Sequence, residues 1–190
     1  GGTNLLITAG TGTVNVVATK AADAMYDAQS VTAQVAAARA DQALAFPAIP
    51  DQVATSTVAL SATATSGLGV TFAVGSGPAT ISGGTTLSFT GAGTVSIVAS
   101  QAGDANWNAA ASLTNTFAVT KAAAQVSQHT LAQTYNGSAR PATAATTRAG
   151  LPVTLTYNGG AAAPVNAGTY TVVGLVNHAL YQGGKTGTLV

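Results

Sequence analysis

The chain has 190 residues, enough for one large domain or two to three small ones, and 47% of them are hydrophobic. Only 6% are charged and the net charge is +1, a balance that excludes charge-rich disorder and leaves Thr, Ser, Asn, Gln, Gly and Ala to form the surfaces. The basic residues Lys20, Arg39, Lys121, Arg140, Arg148 and Lys185 are scattered singly, which excludes a clustered nucleic-acid groove, and no apolar run of about 18 residues marks a membrane-spanning helix.

Cysteine and glutamate are both absent. Apolar content is high enough to form cores without disulfides. A surface with so little electrostatic repulsion suits close packing into an assembly. No basic, apolar leader pattern opens the sequence, which reads as starting in the middle of a repeat.

Residues 1–40 predict strand, glycine turn, strand, loop and strand. LLIT and TVNVVAT supply the Val, Ile and Thr of two strands, and KAADAMYDAQ supplies the loop. The segment VTAQVAAARADQALA has helical propensity, yet its counterpart LTNTFAVTKAAA does not, so a strand is predicted from Val31 to about Ala38. A complete unit is expected over 41–121. Pro47 and Pro50 confine its opening to an edge or broken strand. STVALSATATSG alternates as one strand with a wet face. GVTFAVGSG, ATISG, TTLSFTG, TVSIVAS and SLTNTFAVT follow, with Gly75-Ser76-Gly77 read as a hairpin turn. A third unit is expected over 122–190, with Asn136-Gly137 at a tight turn. The predicted fold is all-β, in tandem immunoglobulin-like β-sandwich repeats.

The repetition is carried by Ala-Gly-Thr, an alternating strand, a loop with Asp or His, and then an aromatic residue. The aromatics are Tyr26, Trp107 and Tyr181, at spacings of about 82 and about 74 residues, the mark of a repeat array. They are predicted to fill equivalent core positions. Residues 1–40 hold only the later strands of such a unit, so a β-structured segment lacking its partner sheet is expected. Missing preceding strands or another subunit would complete it. The junctions AAARADQALA and VTKAAAQV are too short for free linkers, so neighbouring units should meet directly.

TYNGSARPATAATTRAGLPVTLTYNGG, NAGTY and ALYQGG resemble the MBG family of bacterial immunoglobulin-like repeats. FPAIPDQVAT, ATSGLGVTF and GDANWNAA are similar to related repeats of the same kind. The resemblance implies large, repetitive bacterial surface or secreted proteins. It carries no catalytic signature and no binding residues to transfer.

Candidate sites are few. Asp104, Asn106 and Asn108 form the D-x-N-x-N that opens many calcium loops, but the closing Gly and bidentate Glu are lacking, so no metal is assigned. The simpler role for Asp104 is to accept loop N–H groups while the aromatic packs. His129 and His178 have no Cys or Glu nearby, no Gly-x-Ser-x-Gly elbow appears, and no phosphate loop or cofactor motif occurs. Lys20 and Lys121 are the lysines considered for a Lys–Asn isopeptide cross-link, which would need a buried acid that the sequence hardly supplies. The expectation is therefore a non-catalytic structural module of a bacterial extracellular protein, as adhesin stalk or filament subunit. Its partners would be neighbouring immunoglobulin-like repeats of the same or adjacent chains, including a homopolymer. The alternative is a ligand-binding module, for carbohydrate or surface adhesion.

Overall fold

Segments rich in Val, Thr and Ile, punctuated by glycine, form strands throughout residues 5–190, which the computed structural model describes, and no helix occurs among them. The all-β class expected from the sequence is the observed one. The first elements are β1 (Gly12–Lys20) and β2 (Gln29–Ala37). They form an antiparallel hairpin in continuous register from Gly12↔Ala37 to Lys20↔Gln29, and among the described residues they pair only with each other. Cross-strand pairing overrides helix propensity here, since Val31 and Val35 lie opposite Ala18 and Val14.

Next come the short β3 (Leu44–Ala45) and β4 (Gln52–Val53), on either side of Pro47 and Pro50. They are followed by β5 (Thr57–Ala59), β6 (Thr63–Ala64), β7 (Thr71–Ser76), β8 (Ala79–Ser82), β9 (Thr86–Phe89), β10 (Gly93–Ser100) and β11 (Leu113–Thr120). The order β4-β11-β10-β7 makes one sheet, β5-β9-β8 another, and β3–β6 a short third. The remaining strands are β12 (Ala122–Ala123), β13 (Val126–His129), β14 (Thr143–Thr146), β15 (Val153–Tyr157), β16 (Tyr170–Val176), β17 (Tyr181–Gln182) and β18 (Gly184–Leu189). They form the sheet β15-β16-β18 and the pairs β13–β14 and β12–β17.

Three local expectations are corrected. Leu5–Thr8 forms no strand, because no other strand pairs with it among the described residues. The predicted single strand of 56–66 is two, β5 and β6, which join different sheets on either side of buried Leu60. Gly75-Ser76-Gly77 is a corner between sheets and not a hairpin, because β7 and β8 belong to different sheets. Gly77 takes φ +95°, and a side chain there would run into the backbone of Thr94 and Val95.

The chain forms two compact units. One comprises the chain through Pro47, Ser61–Ala73 and Val98–Thr114; the other comprises Ala48–Leu60, Val74–Ile97 and Asn115–Val190. In the first, Phe46 packs on Phe72 with ring centroids 5.5 Å apart. In the second, Leu87, Val95 and Ile97 are fully enclosed, and Phe89 meets Phe117 edge-to-face. A separate core in the second unit gathers Ala142, Tyr157, Val172 and Leu189. The Tyr157 hydroxyl accepts the Ala142 N–H at 2.9 Å, so its polar tip is satisfied inside. The Gln128 amide on β13 donates to the carbonyls of Val172 and Lys185 on β16 and β18, tying that strand to the neighbouring sheet.

Candidate functional site

Tyr26 and Trp107 lie in the loops that follow β1 and β10, and Tyr181 opens β17 at the end of the loop that follows β16. Gly12, Gly93 and Gly168, each followed by threonine, stand before these loops and all have positive φ, at 134°, 147° and 159°. In the first loop Asp23 Oδ1 accepts the N–H groups of Met25 and Tyr26, both at 2.9 Å, and the Asp23 N–H donates to the Tyr26 carbonyl. In the second, Asp104 Oδ1 accepts Asn106 N–H at 2.7 Å and Trp107 N–H at 2.9 Å, and the Asp104 N–H donates to the Trp107 carbonyl. In the third, His178 Nδ1 takes the aspartate's place and accepts the Leu180 N–H at 3.1 Å. A short side-chain acceptor that satisfies N–H groups two and three residues ahead closes such a turn.

The same geometry shows where the calcium-like residues go. Asn106 Oδ1 accepts the Gly10 N–H at 2.7 Å, and Asn108 Nδ2 donates to Asp41 Oδ1 at 2.8 Å. Asp104, Asn106 and Asn108 thus engage three different parts of the chain. Among the described residues no group of three or more His, Cys, Asp or Glu could hold a metal ion. His129 Nε2 lies 3.1 Å from Ser127 Oγ on the exposed side of β13. Lys20 is exposed and paired with Asp23 at 2.8 Å, whereas Lys121 is half-buried between β11 and β12. The Lys20 ammonium, and after it the Met25 N–H, hold the Asp23 carboxyl below the ordinary aspartate value.

Burial separates the aromatics. Tyr181 is 8% exposed, with His178 and the Arg148 guanidinium against its ring. Trp107 is half-buried. Tyr26 is 65% exposed, which corrects its assignment to the core. Its hairpin has no second sheet among the described residues, and Val14, Val16 and Val31 are exposed as well. Lys20 instead covers one face of the Tyr26 ring, its ammonium 5.4 Å from the centroid.

Two of the loops also form backbone joints. Ala40 bridges in parallel to Trp107: its N–H donates to the Asn106 carbonyl and its carbonyl accepts the Asn108 N–H, both at 2.9 Å. Ala122 pairs in parallel with Tyr181 through β12 and β17: its N–H donates to the Leu180 carbonyl at 2.8 Å, and the Ala124 N–H donates to the Gln182 carbonyl at 2.7 Å. Gln42 adds a side-chain tie to the first joint by donating to the Asn108 carbonyl at 2.6 Å. Sequence reasoning missed the roles of Ala40, Ala122 and Gln42. The available signal lay in Gly10 and Gly183, where a side chain would collide with the backbone of Asn106 and of Ala124.

A family model described as the MBG domain matches residues 124–190, the segment that holds β13–β18 and Tyr181. No curated protein matches the chain.

Proposed function

We propose that the chain is a non-catalytic structural module of a bacterial extracellular protein, built of tandem immunoglobulin-like repeats and serving as an adhesin stalk or a filament subunit. The observation that carries this reading is the recurring joint, in which the backbone of Ala40 or Ala122 hydrogen-bonds on both sides of a capped aromatic loop. Backbone pairing of this kind fixes the aromatic loop to a neighbouring strand segment without any ligand. The MBG match supports the surface setting and the structural class. Neighbouring repeats are the expected partners.

The carbohydrate-binding reading has one observation on its side. Tyr135, 61% exposed, stands at a recess lined also by Arg140 and Tyr170. A glycan array combined with electron microscopy of the purified chain separates the two readings. Rods or filaments without a glycan hit support the structural module. Saturable glycan binding that is lost in Tyr135→Ala would replace it with the binding reading.

A further inference from the structure

The tetrapeptide Thr-Tyr-Asn-Gly occurs twice, at 134–137 and at 156–159, and these copies hold the two Asn-Gly steps of the chain. A glycine after asparagine leaves the side-chain amide open to attack by the next backbone nitrogen, because no Cβ stands in the way. The shared tetrapeptide gives the two steps closely similar intrinsic chemistry, and both asparagines are exposed. Their geometry separates them.

Asn158 and Gly159 are the central residues of a tight turn closed from both sides. The Tyr157 N–H donates to the Gly160 carbonyl at 2.6 Å, and the Gly160 N–H donates back to the Tyr157 carbonyl at 2.9 Å. Both central residues have positive φ, at 48° and 87°. Asn158 is also pinned to β16: its N–H donates to the Thr171 carbonyl and its Oδ1 accepts the Thr171 N–H, both at 2.8 Å. Bringing Asn158 Cγ onto the Gly159 nitrogen would break the Thr171 bond and open the turn. Asn136 is held only by its own loop. Its Oδ1 accepts the Ser138 N–H at 3.1 Å, which folds the side chain back over the intervening Gly137 nitrogen. Gly137 takes φ +77° with open space where a Cβ would stand, and among the described residues no hydrogen bond occupies its N–H. The Ser138 N–H also points at the oxygen on which negative charge gathers when Cγ is attacked.

We propose that Asn136 is a site of spontaneous modification, which the Ser138 bond prepares and which the β16 contacts prevent at Asn158. The Gly137 nitrogen gives up its proton to solvent base and bonds to Asn136 Cγ, and the side-chain nitrogen leaves as ammonia. The five-membered succinimide that results is opened by water. Cleavage of the Cγ–N bond yields aspartate, and cleavage of the original peptide bond yields isoaspartate, with the chain rerouted through Cγ. Either product places a carboxylate in 122–190, a segment with no Asp or Glu. It forms in the loop where the Arg140 guanidinium already donates to the Thr134 carbonyl, at 3.1 and 2.9 Å. It also cancels the formal net charge of +1, which removes the residual repulsion between copies. The chemistry needs no partner and is independent of the structural-module role.

Peptide mapping by mass spectrometry on the full chain, aged in mildly alkaline buffer, reads both steps in one sample. Conversion at Asn136 should outpace conversion at Asn158 by at least about tenfold. It should yield both aspartate and isoaspartate, and it should quicken as pH rises, since the attacking nitrogen must lose its proton. In guanidinium chloride the two rates should converge, because the shared tetrapeptide then decides them. Gly137→Ala should slow conversion at Asn136 and leave Asn158 protected, which also reports that the Asn158 turn stays folded. An Asn136 peptide that keeps its mass throughout overturns the proposal, as does conversion at Asn158 that is equal or faster in the folded chain. A rate gap that persists in guanidinium chloride overturns it too, because the gap would then come from Ser138 against Gly160 in sequence. Aspartate formed without isoaspartate would overturn the succinimide route.

Discussion

Truncating Tyr181 to Ala should destabilise the 124–190 domain far more than Tyr26→Ala destabilises the β1–β2 hairpin, although the two residues close loops of the same kind. An enclosed tyrosine covers about 150–250 Å². At about 25 cal/mol per Å² that area corresponds to roughly 4–6 kcal/mol. Tyr181, at 8% exposure, keeps nearly all of it. Residual burial in the unfolded chain lowers the figure to about 3–5 kcal/mol, the usual range for removing a buried aromatic. Tyr26, at 65% exposure, has only about a third of its area covered, for about 1–2 kcal/mol. The gap of about 2–3 kcal/mol is roughly a 30- to 150-fold difference in local opening. Amide hydrogen exchange on the full chain, read segment by segment, measures it: β16 and β18 should lose protection in Tyr181→Ala, while β1 and β2 change little in Tyr26→Ala. Equal losses in the two variants, or unchanged protection of β16 and β18, would refute the burial reasoning.

Asp104→Ala removes the acceptor of two loop N–H groups and should cost about 1 kcal/mol, read from the fluorescence of Trp107, the single tryptophan. Calcium should leave the melting temperature of the wild type unchanged, because Asp104, Asn106 and Asn108 bond to separate parts of the chain; a rise of several degrees would identify a real site. Asp23 should titrate below the ordinary 3.8 when followed by NMR, and Lys20→Gln should move its midpoint up. Because the folded value is the lower one, the Asp23 contribution is present above the ordinary aspartate range and is lost as pH falls through the lowered midpoint. Gly183→Ala should cost about 1–3 kcal/mol and loosen the pairing of β12 with β17, since the new methyl group meets the Ala124 carbonyl; a stability equal to wild type by denaturant unfolding would contradict the close approach.

The amino-acid sequence by itself determined the features that are local. Alternating Val, Thr and Ile made β1, β10 and β16 strands, the glycine before each threonine marked where they open, and Asp23 and Asp104 marked turns whose N–H groups a nearby carboxylate satisfies. The resemblance to MBG repeats was equally legible in the sequence, and the family match covers 124–190. Tertiary structure alone decided which strand pairs with which. The even Ser, Thr and Ala alternation of 56–66 suits either sheet, so only the burial of Leu60 and the separate partners of β5 and β6 break it in two. Leu5–Thr8 has strand composition and forms no strand, because ladder hydrogen bonds require a second chain segment that local preference cannot supply. The fate of Tyr26 has the same cause. A residue's identity makes it apolar, but enclosure comes from what packs against it: the His178 ring and the Arg148 guanidinium lie against Tyr181, whereas Tyr26, with Lys20 over one face, stays 65% exposed.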